Sequence, residues 1–155
     1  MARSRAVAPV VAACTLVAVT VLLAVGIGTA ALAVQLPSEP ASASIALAAD
    51  ADSDRIALVH RGGAALNVSR LSVTVTVGGD PLARQPPVPF FAAHGFRSGP
   101  TGPFNGAASD RWTAGERATL RLASTNEPLI DPGDEVTVRL ARDETTVAVA
   151  TAGAT

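Results

Sequence analysis

Apolar and polar positions divide the chain into two unlike parts. From Ala6 to Ser38 there is no charged residue, and apolar residues dominate as far as Leu36. About 30 helical residues at 1.5 Å each span roughly 45 Å, against about 30 Å of bilayer hydrocarbon. The run predicts a membrane-spanning helix with length to spare, and the surplus must tilt, protrude or meet another protein. Beyond it the pattern turns to alternation. Leu71-Ser72-Val73-Thr74-Val75-Thr76-Val77 sets aliphatic side chains on one side and hydroxyls on the other. Arg117 to Leu122 alternates with Ala118, Leu120 and Leu122 inward, and Val136, Val138 and Leu140 face away from Thr137 and Arg139. Val147 with Val149, Ile45 with Leu47, and Ile56 with Leu58 extend the same pattern. A period of two rich in β-branched residues predicts half-buried antiparallel strands.

Turn residues fall between these segments. Gly62-Gly63 and Gly78-Gly79-Asp80 close strands, and Asp131-Pro132-Gly133-Asp134 carries Pro and Gly where a type II turn takes them. About six strands with no helical patterning predict an all-β, antiparallel, sandwich-like domain over residues 45–155. The stretch 37–44, "PSEPASAS", reads as a linker between that domain and an apolar helix over 7–36. Residues 81–112 break the rhythm, with six Pro, four Gly and all the aromatics of the chain: Phe90, Phe91, Phe96, Phe104 and Trp112. A loop of this length inside a compact domain is usually functional or disordered, and its aromatics argue against disorder. Either the rings close the open end of a core otherwise built from Val, Leu and Ala, or some of them, with "RSGPTGPFNG", form a contact surface for a neighbouring subunit or a ligand.

Charge and composition then remove several functions. Beyond the apolar run, 10 Arg stand against 13 Asp plus Glu, a balance of −3. No basic patch with interleaved aromatics is present, so no nucleic-acid partner is expected. Cys14 is the single cysteine, which rules out a disulfide within the chain and a thiolate metal cluster. Of the two histidines, His60 sits at a strand end beside Gly62-Gly63 and His94 lies in the aromatic loop, both read as structural. No G-x-S-x-G turn occurs, and Ser98-Gly99-Pro100 lacks the Gly-Lys pair and following helix of a phosphate loop. Asp50, Asp52 and Asp54 open like a calcium loop, but Arg55 and Arg61 occupy the positions that need Gly and Glu, so a solvated acidic turn is expected. No enzyme activity, cofactor or metal is expected. Asn67-Val68-Ser69 is an N-glycosylation sequon.

The apolar run admits several roles. Ala31-Leu32-Ala33 offers an A-x-A signal cleavage site, but the apolar stretch before it is about twice the 7–15 residues of a secretory signal. Val11-Ala12-Ala13-Cys14 has the form of a lipidation site, yet "TLVAVTVLLAVGIG" after it is membrane-like and no polar tether. Arg3 and Arg5 favour a cytoplasmic N-terminus, which leaves the C-terminal domain outside. Pro9 falls in the first turn of a helix starting near Ala6, where its missing N–H costs little. Ala24 with Gly28, and Gly26 with Ala30, are small pairs four apart that let helix backbones approach closely.

"RAVAPVVAACTLVAVTVLLAVGIG" resembles the N-terminal segment of archaeal, and especially haloarchaeal, type IV pilins. Ala6-Val7, Pro9-Val10, Val17-Ala18, Thr20-Val21, Leu23-Ala24 and Ile27-Gly28 carry the likeness, over about 25 residues. Ala8 stands where the family usually has Ser, and Ala12-Ala13-Cys14 replaces a Gly-plus-aliphatic stretch. The resemblance implies a class III signal leader over residues 1–6. A membrane prepilin peptidase would cut on the cytoplasmic side after Ala6, with the bond after Arg5 as its neighbour, so Arg5, Ala6 and Val7 form the processing site. It also implies that the helix stays on the mature chain and packs with other pilin subunits through Ala24, Gly26, Gly28 and Ala30. The protein would start in the cell membrane and end in a surface filament for adhesion, and Asn67 is a candidate site for the surface glycans frequent in similar pilins. The competing expectation is a membrane-anchored monomer whose extracellular domain binds a ligand through the 81–112 loop.

Overall fold

The computed structural model describes residues 11–21 and 42–155, and the chain divides into two compact units, Met1–Ser38 and Glu39–Thr155. Residues 11–21 are helical. Val11, Leu16, Val17, Val19 and Val21 are each more than half exposed. The Thr15 hydroxyl donates to the Val11 carbonyl at 2.7 Å and the Thr20 hydroxyl to the Leu16 carbonyl at 3.1 Å. Both hydroxyls are thereby satisfied by the helix itself. Among the described residues no helix is long and apolar enough to cross a membrane. The rest of the 7–36 segment, with Ala24, Gly26, Gly28 and Ala30, lies outside the described residues, as do Arg5, Ala6 and Val7.

The second unit is an all-β domain. Strands β1 (Ala43–Asp50), β2 (Arg55–Gly63) and β7 (Arg117–Arg121) form one antiparallel sheet in the order β1-β2-β7. Strands β5 (Asp80–Pro81), β4 (Leu71–Val77), β8 (Glu135–Arg142) and β9 (Thr145–Gly153) form another in the order β5-β4-β8-β9. A short pair, β3 (Leu66–Asn67) with β6 (Arg111–Trp112), lies between them in sequence. Strand β1 begins two residues inside the stretch read as linker, because Ala43 and Ser44 pair with Gly63 and Gly62. Buried residues of both larger sheets belong to one hydrophobic cluster: Ile56, Leu58 and Leu120 from the first, Val75, Val138 and Leu140 from the second. Each such side chain contributes about 1.5–3 kcal/mol on burial.

Alternation fixes most of the inward faces. Strand β4 keeps Val73, Val75 and Val77 in and Ser72 and Thr74 out, as its pattern predicts. Strand β9 departs from its pattern. The pairing slips by one residue, Leu140 facing Ala148 while Ala141 faces Thr146, so Val147 is the extra residue of a bulge. One extra residue flips every later side chain to the other face. Val147 and Ala150 are therefore buried, and Val149, expected beside Val147, is 57% exposed. The β8–β9 turn is the two-residue Asp143-Glu144, with φ of 47° and 68°. Such a hairpin favours Asn-Gly, and a Glu held at positive φ costs about 1–3 kcal/mol.

Residues 81–112 are bound to the core at both ends and in the middle. Two side-chain amides hold the start. Gln85 imitates a strand partner for Val75: its Oε1 accepts the Val75 N–H at 2.7 Å, and its Nε2 donates to the Val75 carbonyl at 3.0 Å. Buried Asn126 does the same for Arg84, accepting from its N–H at 2.8 Å and donating to its carbonyl at 3.0 Å. Gly95, at φ 86°, lies so close to Asn126 that a Cβ there would come within 2.9 Å of its amide carbon. Replacing Asn126 with Ala is expected to cost about 2–3 kcal/mol, from two lost bonds and the stranded Arg84 backbone groups. Urea denaturation of the two proteins measures this, and an Asn126→Ala midpoint equal to that of the parent would contradict it.

Candidate functional site

Three arginines far apart in sequence meet on the outward face of the β1-β2-β7 sheet. Arg55 opens β2 and stands opposite Arg121 at the end of β7. The 96–101 segment runs along the other side of β7, pairing Phe96 with Leu122 and Thr101 with Thr119. The Arg97 N–H donates to the Arg121 carbonyl at 2.9 Å. On the far side Asp50 pairs with Arg55. Asp50, Arg55, Arg121 and Arg97 thus form one row across four neighbouring segments. Their chain neighbours Ile56, Leu120, Leu122 and Phe96 are buried, so alternation turns the row outward.

Arg55, Arg121, Arg97, Ser98, Gly99 and Thr101 help line a cleft of about 390 Å³. Arg55 is paired with Asp50 at 2.8 Å, and Arg121 Nε donates to the Ser53 carbonyl at 3.2 Å. Like charges directly opposite on adjacent strands are destabilising. Three guanidinium groups share this row with one carboxylate. Guanidinium forks match carboxylate, sulfate and phosphate oxygens two at a time, so the cleft can hold an oxyanion. Gly102 lets the loop lie this close. Its φ is 64°, and a Cβ on it would collide with the Arg117 carbonyl.

Of the residues singled out in the sequence, four rings are core. Phe90 and Phe96 are each 6% exposed, and Phe104 and Trp112 are fully buried. Phe104 and Trp112 meet edge to face at 5.3 Å between ring centroids, and Phe90 lies 5.6 Å from Phe96. Burial removes these four from any contact surface and leaves Phe91, which is 65% exposed. The Gly99 N–H donates to the Phe91 carbonyl at 2.8 Å, which ties the Phe91 backbone to a residue that lines the arginine cleft, though Phe91 does not line it.

The two histidines are not brought into one site. His94 is exposed on the loop, next to Ala92 and Ala93. His60 is fully buried against Trp112, with ring centroids 5.7 Å apart. Its Nε2 lies 3.0 Å from the Ala64 carbonyl, which can only accept, so Nε2 carries the proton. Its Nδ1 has no partner. Asp50 and Asp54 serve the β1–β2 turn: Asp50 accepts the Ser53 N–H at 3.1 Å, and Asp54 the Ile130 N–H at 3.3 Å. Among the described residues, no group of three or more His, Cys, Asp or Glu could hold a metal ion. Asn67 is exposed, and Asp110 Oδ2 accepts from both the Asn67 amide and the Ser69 hydroxyl, each at 3.1 Å.

The arginine row was not legible in the sequence. Alternation gives the outward direction of Arg55 and Arg121, but only the β2–β7 register and the seating of residues 96–101 bring them together. The sequence matches no known protein-family model and no curated protein.

Glu116 links the Trp112 corner to the β7 edge. Its Oε2 accepts the Thr113 N–H at 2.6 Å and the Thr113 hydroxyl at 2.9 Å. Those bonds, the backbone one foremost, hold its carboxyl below the ordinary value of 4.5 against an opposing effect of desolvation. A depressed folded-state pKa makes this stabilisation complete above the unfolded carboxyl range and lost as pH falls through the folded value. In Glu116→Gln the fall in thermal midpoint between pH 6 and pH 3 is expected to be smaller than in the parent. Parallel melting curves with equal slopes would contradict the assignment.

Proposed function

We propose that the chain is a type IV pilin or pilin-like subunit, whose N-terminal helix anchors it in the membrane and then packs into a filament core. In this reading a prepilin peptidase removes residues 1–6 on the cytoplasmic side. The β-domain, a sandwich of its two larger sheets, stands outside the cell and is displayed for adhesion. One observation carries the reading. The helical residues 11–21 are apolar on every side, and their Thr hydroxyls bond to the helix's own carbonyls. A helix with no polar face is stable only against lipid or other apolar helices. Pro9 and the small pairs Ala24/Gly28 and Gly26/Ala30 support helix-on-helix packing in preference to a plain anchor. The separate β-domain, with a core of its own, suits a displayed head.

A second reading is a membrane-anchored monomer that binds a ligand outside the cell. The arginine cleft with Phe91 at its side favours it, because exposed Arg and aromatic residues together are the usual anchors of a recognition surface.

The mass of the mature protein isolated from cells separates these readings. The pilin reading expects a chain that begins at Val7. An intact N-terminus supports the anchored monomer. A chain that begins at Val34 rejects both readings, and lipid on Cys14 rejects the pilin while leaving a membrane anchor. Surface filaments are expected in cells with the parent sequence and are expected to be lost with Ala6→Asp and Val7→Asp.

A further inference from the structure

The arginine row has a counterpart within the same fold. The outward side of the β1-β2-β7 sheet and its flanking segment carries Arg55, Arg61, Arg97, Arg117 and Arg121, half of the 10 Arg beyond the apolar run, in a domain whose net charge is negative. Asp50 stands in that row, paired with Arg55, and Asp52 and Asp54 lie in the adjoining β1–β2 turn. Two further acidic groups form the tip of the β8–β9 hairpin. Asp143 and Glu144 are both exposed there and both held at positive φ. Asp143 has one exposed contact, to Arg70 at 3.2 Å, which is worth little in water. A tip chosen for stability alone would be Asn-Gly. This one keeps two carboxylates at a conformational cost.

Topology sets the tip and the row at opposite ends of the domain. The far end of β9 lies beside the end of β1, where Ala154 bridges to Ala49 and Thr155 N–H donates to the Ala49 carbonyl at 3.2 Å. The next residue, Asp50, begins the arginine row. The tip lies before the first residue of β9, nine residues away, or roughly 30 Å at 3.3 Å per residue. The tip therefore cannot reach the row of its own molecule. A contact between two different surfaces at opposite ends is head-to-tail, and it repeats from one copy to the next.

We propose that the arginine cleft is the receptor for the Asp143-Glu144 hairpin tip of a second copy of this chain. The two carboxylates lie against Arg121 and Arg97, and they relieve the like-charge repulsion across the row. Phe91 stands at the side of the cleft and covers the apolar flank of the incoming hairpin. The proposal names a subunit contact that a filament could use, but both surfaces lie in the β-domain and the inference does not require the pilin reading.

Charge reversal tests it with the full-length chain in detergent micelles at low salt, read by sedimentation equilibrium. The parent is expected to self-associate, and more weakly as salt rises. Arg97→Glu with Arg121→Glu, and separately Asp143→Arg with Glu144→Arg, are each expected to lose at least tenfold in association. An equal mixture of the two variants is expected to recover it, which no misfolded variant could do. Asp143→Asn with Glu144→Gly is expected to raise the melting midpoint by about 4 °C, since it relieves the turn, and to weaken association at the same time. Association unchanged by either reversal overturns the proposal. So does a mixture that fails to recover while both variants melt like the parent. Salt-sensitive stabilisation by dextran sulfate in a parent that does not self-associate would also overturn it, and would assign the cleft to a foreign polyanion.

Discussion

Apolar surface must be covered, and the two units of this chain meet that demand differently. The β-domain covers its own: two sheets and a long aromatic loop close over one core. The helical stretch 11–21 has no polar face to turn to water, and even its threonines are satisfied internally. In the proposed reading its cover comes from lipid or from other helices, and the two functional readings differ in which one supplies it.

Closure of the domain depends on the 81–112 loop as well as on the strands. Val, Leu and Ala on the inner faces leave a space that the strands alone do not fill. Phe104 and Trp112 fill it edge to face, and Phe90 and Phe96 complete the wall. A long loop brings many backbone donors and acceptors into the core, and each needs a partner. Asn126 supplies them for Arg84, and Gln85 of the loop does the same in return for Val75 of β4, each gripping both polar groups of one residue in the manner of a neighbouring strand. The same loop, once seated, runs along β7 and brings Arg97 beside Arg121, so the closure of the core also assembles the charged cleft.

What could be read from the sequence depended on range. Strands β4, β7 and β8 were legible because alternation is a local signal, and Leu71–Val77 matches its pattern residue for residue. Val149 was not, because a bulge is a property of the pairing and leaves no mark in one strand's own pattern. The aromatic loop was legible as unusual, and its composition pointed to a packed segment. Which ring stayed outside was not, since Phe90 and Phe91 are identical neighbours and only the path of the backbone separates them. Gln85 and Asn126 gave no signal, because a lone amide in a polar loop looks like any other. The arginine row needed the register of two strands and the seating of a loop distant from both in the chain, which no local rule supplies.

The central claim is that the apolar helix finds its cover in neighbouring copies of itself. Cys14 lies within the described helix, is exposed, and is the single thiol of the chain, so it reports on that surface without an added substitution. A nitroxide attached to Cys14 in protein assembled on cells measures the result directly through spin–spin broadening. The account predicts a spectrum broadened by nearby labels that sharpens when labelled subunits are diluted with unlabelled ones. A sharp spectrum at full labelling, with the nitroxide accessible to lipid-soluble oxygen, would contradict it.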